Sequence, residues 1–404
     1  MDRPLNGGIT IKSIKKLTVK KDYEAIFSLS QFAFQYELTE AELTKKCEEA
    51  ERHTIWGWMD ADKLAAKLHL IPLSCYINGE LFEMGGISAV ATWPEYRRQG
   101  MVKHLLKHTL QEMKKNGQTL SFLHPFSISF YRKYGWELTF VNKLYSVPLT
   151  NLKKVWDVKG YVNRIDPDVP LLHSIYTQFA TRFTGMLERD EKWWTQRVLK
   201  NKSHIAVAYN DNGEAQGYII YQVKDNLLTV NDMAYTSVDG WKLLLQFIAN
   251  HDSMAQKVNM IVPQNDNLSL LIDEPTFEQK IEPFFMARIV DVENFLKQYP
   301  FEINEDLARS LPLLLHIEDS FLPENSGVYE LKYTNKGVSV TFLEDVDQCK
   351  AGIHCTIQLL TSLLLGYKRP MELYQAGLLQ DELADIKRLE QLIPIQQTYF
   401  ADFY

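Results

Sequence analysis

Apolar residues in the first part of the chain recur at strand and helix periods in turn. Residues 9–14 alternate apolar and polar side chains as a short strand does, and residues 22–36 put Ala25, Ile26, Leu29, Phe32 and Ala33 on one helical face. A second helix is predicted over 39–52, because Thr39 and Glu42 form a Thr-x-x-Glu box able to satisfy its first free amides. Strands at 64–76 and 81–92 flank Asn78-Gly79, the strongest short hairpin signal. Past Pro94 a long helix is predicted to run to Lys115, with Met101, Val102, Leu105, Leu106, Leu110 and Met113 as its buried stripe and Asn116-Gly117 as its end. A strand at 119–124, a short helix at 128–134 and a returning strand at 136–141 complete a mixed sheet.

The periodicity lapses around 145–165, where Pro148, Gly160 and Pro167 fall, and this sets a boundary near 150. Beyond it come helices at 169–182, 190–199 and 240–251, the middle one carrying Trp193-Trp194, with strands at 205–209, 217–223, 227–234 and 258–262. The element order echoes the first segment without a repeat at fixed period, so a duplicated fold is expected. From Arg288 a small α+β unit is predicted, with helices at 292–298, 356–365, 371–376 and 381–389 and strands at 327–333 and 338–343. The predicted domains are 1–150, 151–287 and 288–404. The chain closes on Thr398-Tyr399-Phe400-Ala401-Asp402-Phe403-Tyr404, too aromatic to dangle in water, so a docked terminus is expected.

Composition narrows the class. A length of 404 residues exceeds the ~250–300 at which single cores stop growing, in keeping with two or three domains. With 46% hydrophobic and 24% charged residues, fibrous, collagenous and wholly disordered proteins are excluded. A net charge of −7 argues against a nucleic-acid partner and suits a cationic ligand better, although mild acidity also serves plain solubility. Cys47, Cys75, Cys349 and Cys355 show no C-x-x-C spacing, which fits a reducing compartment. The N-terminus lacks the apolar core of a signal peptide and no run approaches the ~20 apolar residues of a membrane span. A soluble, cytoplasmic protein with no membrane partner is expected.

The chemistry concentrates at residues 85–102. An apolar strand ends in Ser88-Ala89-Val90-Ala91-Thr92, turns at Trp93-Pro94 and enters a helix through Arg97-Arg98-Gln99-Gly100-Met101-Val102. Free amides and the positive dipole end of a helix start favour an anion, Gly100 lets a phosphate near the backbone, and two arginines add charge. The bland alternative is an exposed basic helix start without a ligand. Neither Gly-x-x-x-x-Gly-Lys-Ser/Thr nor Gly-x-Gly-x-x-Gly is present there, so ATP and NAD lose ground.

This stretch resembles the acetyl-CoA site of the GCN5-related N-acetyltransferases (GNAT), whose pattern is Arg/Gln-x-x-Gly-x-Gly/Ala, with Val102 standing where a small residue is usual. Taken with Phe130-Tyr131-Arg132-Lys133-Tyr134-Gly135-Trp136, with Trp193-Trp194 and with a third unit opening near Arg288, the whole chain resembles the enhanced intracellular survival (Eis) acetyltransferases. The resemblance implies an α+β protein of two tandem GNAT-like mixed-sheet domains, the second degenerate, followed by a small sterol-carrier-like domain. It implies that Val90, Ala91 and Thr92 bond the pantetheine of acetyl-CoA, that Arg98, Gln99, Gly100, Met101, Val102 and Lys103 cradle its pyrophosphate, and that Phe126 and Ser127 line it further on. Tyr131 matches the family's general acid and Tyr404 supplies its C-terminal carboxylate as base, with no metal required. Implied partners are small cationic amines, such as aminoglycosides or polyamines, or lysine side chains, and further copies of the chain in a homo-oligomer of up to six.

Acetyl transfer needs such a pair. An amine of pKa ~10.4 must shed a proton before it attacks, and a departing thiolate of pKa ~8.5 gains from receiving one. A carboxylate near ~3.3–3.7 is a weak base unless burial raises it, so its role includes orienting a water or holding the ammonium. Glu83 is the competing base. His104 and His108 read as a solvated helix face, Cys349, Cys355 and His354 as no zinc site, and Trp193-Trp194 as an interdomain core pair. Among Phe32, Phe34, Tyr36, Trp56 and Trp58, some are expected to line the amine pocket. The alternative from another class is a non-catalytic carrier that holds an apolar ligand in the third domain; the intact Arg97 to Gly100 turn and Tyr131 argue against it.

Overall fold

The computed structural model describes residues 12–200, 202–303, 307, 310–335, 337–343 and 352–404. Its first sheet starts with an antiparallel meander of β1 (Lys12–Leu17), β2 (Thr54–Asp60), β3 (Lys63–Ile77) and β4 (Glu80–Thr92), with α1 (Val19–Phe34) and α2 (Glu40–Ala50) between β1 and β2. Part of the strand expected at 9–14 lies outside the described residues. Asn78 and Gly79, with φ of 48° and 83°, turn β3 into β4 as an Asn-Gly pair requires. The capping box forms: the Glu42 amide donates to the Thr39 hydroxyl and the Thr39 amide to the Glu42 carboxylate.

β4 next pairs in parallel with β5 (Leu120–Leu123), and the last matched residues are Ile87 and Leu123. Beyond Ile87, β4 continues to Thr92 along β3 alone, so β4 and β5 part. A bulge sits at this parting, since Ser88 faces His69 and Ala91 faces Lys67, which leaves Ala89 and Val90 opposite one residue. The helix predicted from Pro94 starts later: residues 94–96 are a 3-10 turn, and α3 (Met101–Lys115) begins after Gly100. α4 (Ile128–Arg132) and the short β6 (Glu137–Leu138) follow.

After Phe140 the chain leaves the first sheet. β7 (Val141–Pro148), β8 (Tyr161–Ile165), β9 (His204–Tyr209), β10 (Ala215–Lys224), β11 (Leu227–Tyr235), β12 (Lys257–Val262) and β13 (Glu278–Pro283) form a second sheet in the order β13-β7-β12-β11-β10-β9-β8. β14 (Met286–Ile289) then returns to the first sheet, between β5 and β6. Each sheet therefore takes a strand from the other's stretch of chain: 141–148 joins the second and 286–289 joins the first. Periodicity could not mark these strands, because β14 is a fully buried four-residue run and β8 and β13 are mostly exposed edges. The expected duplication is present, since β11 also pairs in parallel with β12 for three residues and bulges just past them.

The third unit is a sheet of β15 (Leu313–Glu318), β16 (Gly327–Thr334), β17 (Gly337–Leu343) and β18 (Ile353–Thr356), in the order β17-β16-β15-β18, backed by the helix Ile357–Leu364. β15 and β18 carry no expectation from the sequence. Arg288 on β14, wholly buried, bonds the Tyr134 carbonyl and the Asp319 carboxylate and so joins the first unit to the third. The terminus is docked as expected, with Thr398, Tyr399, Phe400, Asp402 and Tyr404 buried and Phe403 exposed. Among the described residues no helix is long and apolar enough to cross a membrane. Cys75 and Cys355 are buried free thiols, while Cys349 lies outside the described residues.

Candidate active site

Where β4 parts from β5, the freed stretch of β4, the turn into α3 and the start of α4 enclose a groove of about 690 Å³. Val90, Ala91, Thr92, Arg98, Gln99, Gly100, Met101, Val102, Lys103 and Phe126 all line it, together with Phe34 and Phe130. Ser127 does not line it: its hydroxyl accepts from the Phe130 amide and caps α4. Arg98 and Gly100 both hold left-handed angles, φ 61° and 79°, and no side chain caps α3, so its first-turn amides remain as donors at the groove. A Cβ on Gly100 would meet no protein atom nearer than 3.9 Å, so the glycine answers to backbone angle and not to crowding within the protein. Arg97, Arg98 and Lys103 form no ion pair among the described residues. Uncapped amides, three unpaired cations and a long groove are a fit for the pyrophosphate and pantetheine of a coenzyme A thioester.

Two tyrosines reach the parting from opposite faces. Side chains alternate along β4 and β5, so the pair Ile87–Leu123 faces α3 while Gly86–Phe122 faces the other way. Tyr131 is buried with Ile87, Leu123 and Trp136 on the α3 side, and burial pushes its phenol above the usual tyrosine range. The Tyr404 ring lies on Gly86, where an added Cβ would stand 2.8 Å from it, and its hydroxyl donates to the Phe122 carbonyl at 3.1 Å. Glu83, in contrast, is exposed and accepts from Ser74, and it precedes the bulge by six residues, roughly 20 Å along a strand.

Several groups escape the sequence reading. His124 directly follows β5, its ring set against Phe284, Phe285 and Phe403, and burial lowers its pKa, so it is neutral at pH 7. Lys67 is fully buried, bonded to the Ala89 carbonyl at 3.2 Å and to His69 Nε2 at 3.1 Å, and His69 Nδ1 lies 3.2 Å from His53 Nδ1. Burial brings Lys67 down to about 7 and holds His69 well below its ordinary value. In Lys67-Leu68-His69-Leu70 the polar positions read as an outward face; only tertiary packing covers that face.

Other expectations are corrected. His108 is half-buried, edge-on to Trp56 with ring centroids 4.3 Å apart, so the helix face is only partly solvated; His104 is exposed, near Trp58. Trp56 and Trp58 accordingly pack beneath α3 and line no part of the groove, and Phe32 rests on Trp93. Trp193 and Trp194 are interdomain core residues: the Trp193 indole donates to Asp402 at 2.8 Å and packs near Tyr404, and the Trp194 indole donates to His173. A cavity of about 600 Å³ in the third unit mixes His316, Glu318 and His354 with Ile317, Val328 and Leu359, a lining that singles out no ligand class.

Fold and groove together define an acetyl-CoA-type binding fold carried twice and followed by a third unit, and the comparisons agree. Residues 13–139 match the Acetyltransferase (GNAT) domain, residues 185–289 match a second Acetyltransferase (GNAT) domain and residues 292–401 match the Sterol carrier protein domain. Two of the three units are therefore GNAT acetyltransferase domains, and the third is a sterol carrier protein domain. A crystal structure from Enterococcus faecalis, a conserved protein of unknown function described as a probable N-acyltransferase, is similar at TM-score 0.89 and 28% identity, covering 98% of this chain and 100% of that one. Eis1 from Mycobacterium abscessus shares the fold, with TM-score 0.78 and 18% identity over 98% of this chain and 100% of its own. An uncharacterized N-acetyltransferase of Streptomyces griseus is 22% identical over 249 residues, 55% of this chain, and the match spans 60% of that relative's length.

Proposed function

We propose that the protein transfers the acetyl group of acetyl-CoA to the primary amine of a small cationic acceptor, or of a lysine side chain, by direct attack while both are bound. The observation that carries this reading is the groove that ends at the parting of β4 and β5, with Tyr131 on one face and Tyr404 on the other. Acetyl-CoA supplies a thioester carbonyl activated toward amines; the chain's own groups do the rest. The first-turn amides of α3 and the side chains of Arg98 and Lys103 hold the pyrophosphate, and Val90, Ala91 and Thr92 align the pantetheine along the freed edge of β4.

Tyr131 is the proton donor to the departing sulfur. Burial raises its pKa above the usual tyrosine range, so the hydroxyl is protonated at neutral pH. Because that phenol is less acidic than a thiol of ~8.5, it stabilises the developing thiolate by a hydrogen bond ahead of full transfer. The terminal carboxylate of Tyr404 receives the first proton, shed by the acceptor ammonium; as the C–N bond forms and the C–S bond breaks, the nitrogen loses its second proton, which ends on the coenzyme A thiol with Tyr131 left protonated. The test mixes the protein with acetyl-CoA and aminoglycosides, polyamines or lysine peptides and follows thiol release. Tyr131→Phe is expected to lower kcat by about 10²–10⁴-fold with coenzyme A binding nearly unchanged. A flat trace over all acceptors, with no calorimetric binding of coenzyme A, sinks the enzyme reading and leaves the carrier.

A further inference from the structure

The two GNAT units treat the same cleft differently. In the first, α3 starts uncapped and the groove at the parting strands is about 690 Å³. In the second, the matching helix, Val238–Ala249, is capped by its own Ser237, whose hydroxyl accepts from the Gly240 amide at 3.0 Å. The chain's own tail enters the matching parting of β11 and β12: Tyr399, Phe400 and Ala401 line a remaining cavity of about 50 Å³ together with Val230, Asp232 and Ile261, and a separate cavity of about 310 Å³ opens beside Thr229 and Asn259. The Tyr399 hydroxyl donates to the Ile261 carbonyl at 3.4 Å, and five residues on the Tyr404 hydroxyl donates to Phe122 of the first unit. One short tail thus spans both partings.

A strap holds it there. Residues 185–188 bond along β3 through Gly185, Met186 and Glu188, while Thr184 bonds the tail at Gln397 and Tyr399. Next in the chain comes Arg189, 2% exposed, whose guanidinium is forked between Asp232 of β11, at 2.7 and 3.2 Å, and Asp402 of the tail, at 3.1 and 3.2 Å. Tyr218 donates to Asp232 at 2.6 Å and Trp193 to Asp402 at 2.8 Å, so both carboxylates have donors besides the arginine. A planar fork shared by the buried Asp402 and the partly buried Asp232 fixes direction as well as distance.

We propose that the second unit has become a clamp for the first, in which Arg189, anchored on Asp232, grips Asp402 and so sets where the terminal carboxylate of Tyr404 stands. Arg189 and Asp402 are positioning residues, and the proposal rests on the reading of that carboxylate as proton acceptor. The test uses the full chain carrying Asp402→Asn, a near-isosteric change that Trp193 still serves as donor, and Arg189→Lys, which keeps the charge and loses the fork. Each is expected to lower kcat at least about tenfold with the KM for acetyl-CoA changed less than about twofold, and to speed release of Tyr404 by a carboxypeptidase at least about tenfold. In a protein lengthened by a few residues after Tyr404, already slow, Asp402→Asn should change kcat less than about twofold, because both changes act through one carboxylate.

Unchanged kcat in both variants, a full additional loss in the lengthened protein, or slowed turnover with the tail released no faster would each overturn the clamp. A lengthened protein as fast as the natural one removes the terminal carboxylate as base, and the clamp's catalytic purpose with it. A slow lengthened protein beside a fast Asp402→Asn protein removes the clamp alone.

Discussion

Gly86 illustrates how one missing side chain shapes the site. The sequence offers Gly85-Gly86 in a strand without a reason for either, yet the Tyr404 ring occupies the place a Cβ on Gly86 would take. Gly86→Ala is therefore expected to push the tail off the sheet, lowering kcat at least about tenfold and stability by about 1–3 kcal/mol, with acetyl-CoA affinity nearly intact. Steady-state kinetics beside calorimetric titration checks it. Lys67 makes a separate forecast. With its native pKa near 7 and an unfolded value of ~10.4, the unfolded chain binds the extra proton between those limits, so this residue's contribution to stability rises with pH across that window and its cost is fully present below 7. The slope it adds is about 1.4 kcal/mol per pH unit at most. Neighbouring His53 is held neutral by burial first, and then by Arg197, Arg52 and Lys46. Lys67→Met should raise stability at pH 7 by about 1–3 kcal/mol and flatten the rise toward pH 10, read from denaturant midpoints at several pH values. Equal pH slopes in the two proteins would refute it.

Among the elements, the turn into α3 was the most legible, because Pro94, two arginines and a glycine ahead of an amphipathic stripe describe an anion-binding helix start from local rules alone. The reason for Gly100 was not legible: it needs a left-handed angle of 79°, and a Cβ there would meet only the His104 ring, at 3.9 Å. Gly100→Ala is accordingly expected to cost about 1–2 kcal/mol of backbone strain, felt as up to about tenfold weaker coenzyme A binding with little change in kcat. Isothermal titration decides it, and unaltered affinity would deny the turn its role. Helices with a clear stripe, such as Val169–Ala180 and Val292–Gln298, fall within a residue or two of their expected bounds. The short strands β14, β15 and β18 had no such signal, since four to six residues carry too few periods to tell strand from helix.

Over the whole molecule, the exchange of strands governs what can fold alone. A chain ended at residue 150 keeps β1 to β6 but lacks β14, which pairs β5 to β6, and it keeps β7 without the second sheet. Such a fragment should expose the edge of β5 and fail to give a cooperative unfolding transition, whereas a cooperative transition with dispersed amide resonances would show the exchange to be dispensable. Length, composition and local periodicity were enough for three α+β units, for an anion-binding turn at 97–102, which only the family resemblance tied to a coenzyme, and for a buried aromatic terminus, since each depends on neighbours within a few residues. Which sheet receives 141–148 and 286–289, that Tyr131 and Tyr404 meet one parting from two sides, and that Arg189 reaches Asp402 across 213 positions depend on contacts between distant segments. No period or motif records such contacts, because burial of a residue is a property of what the folded chain lays over it.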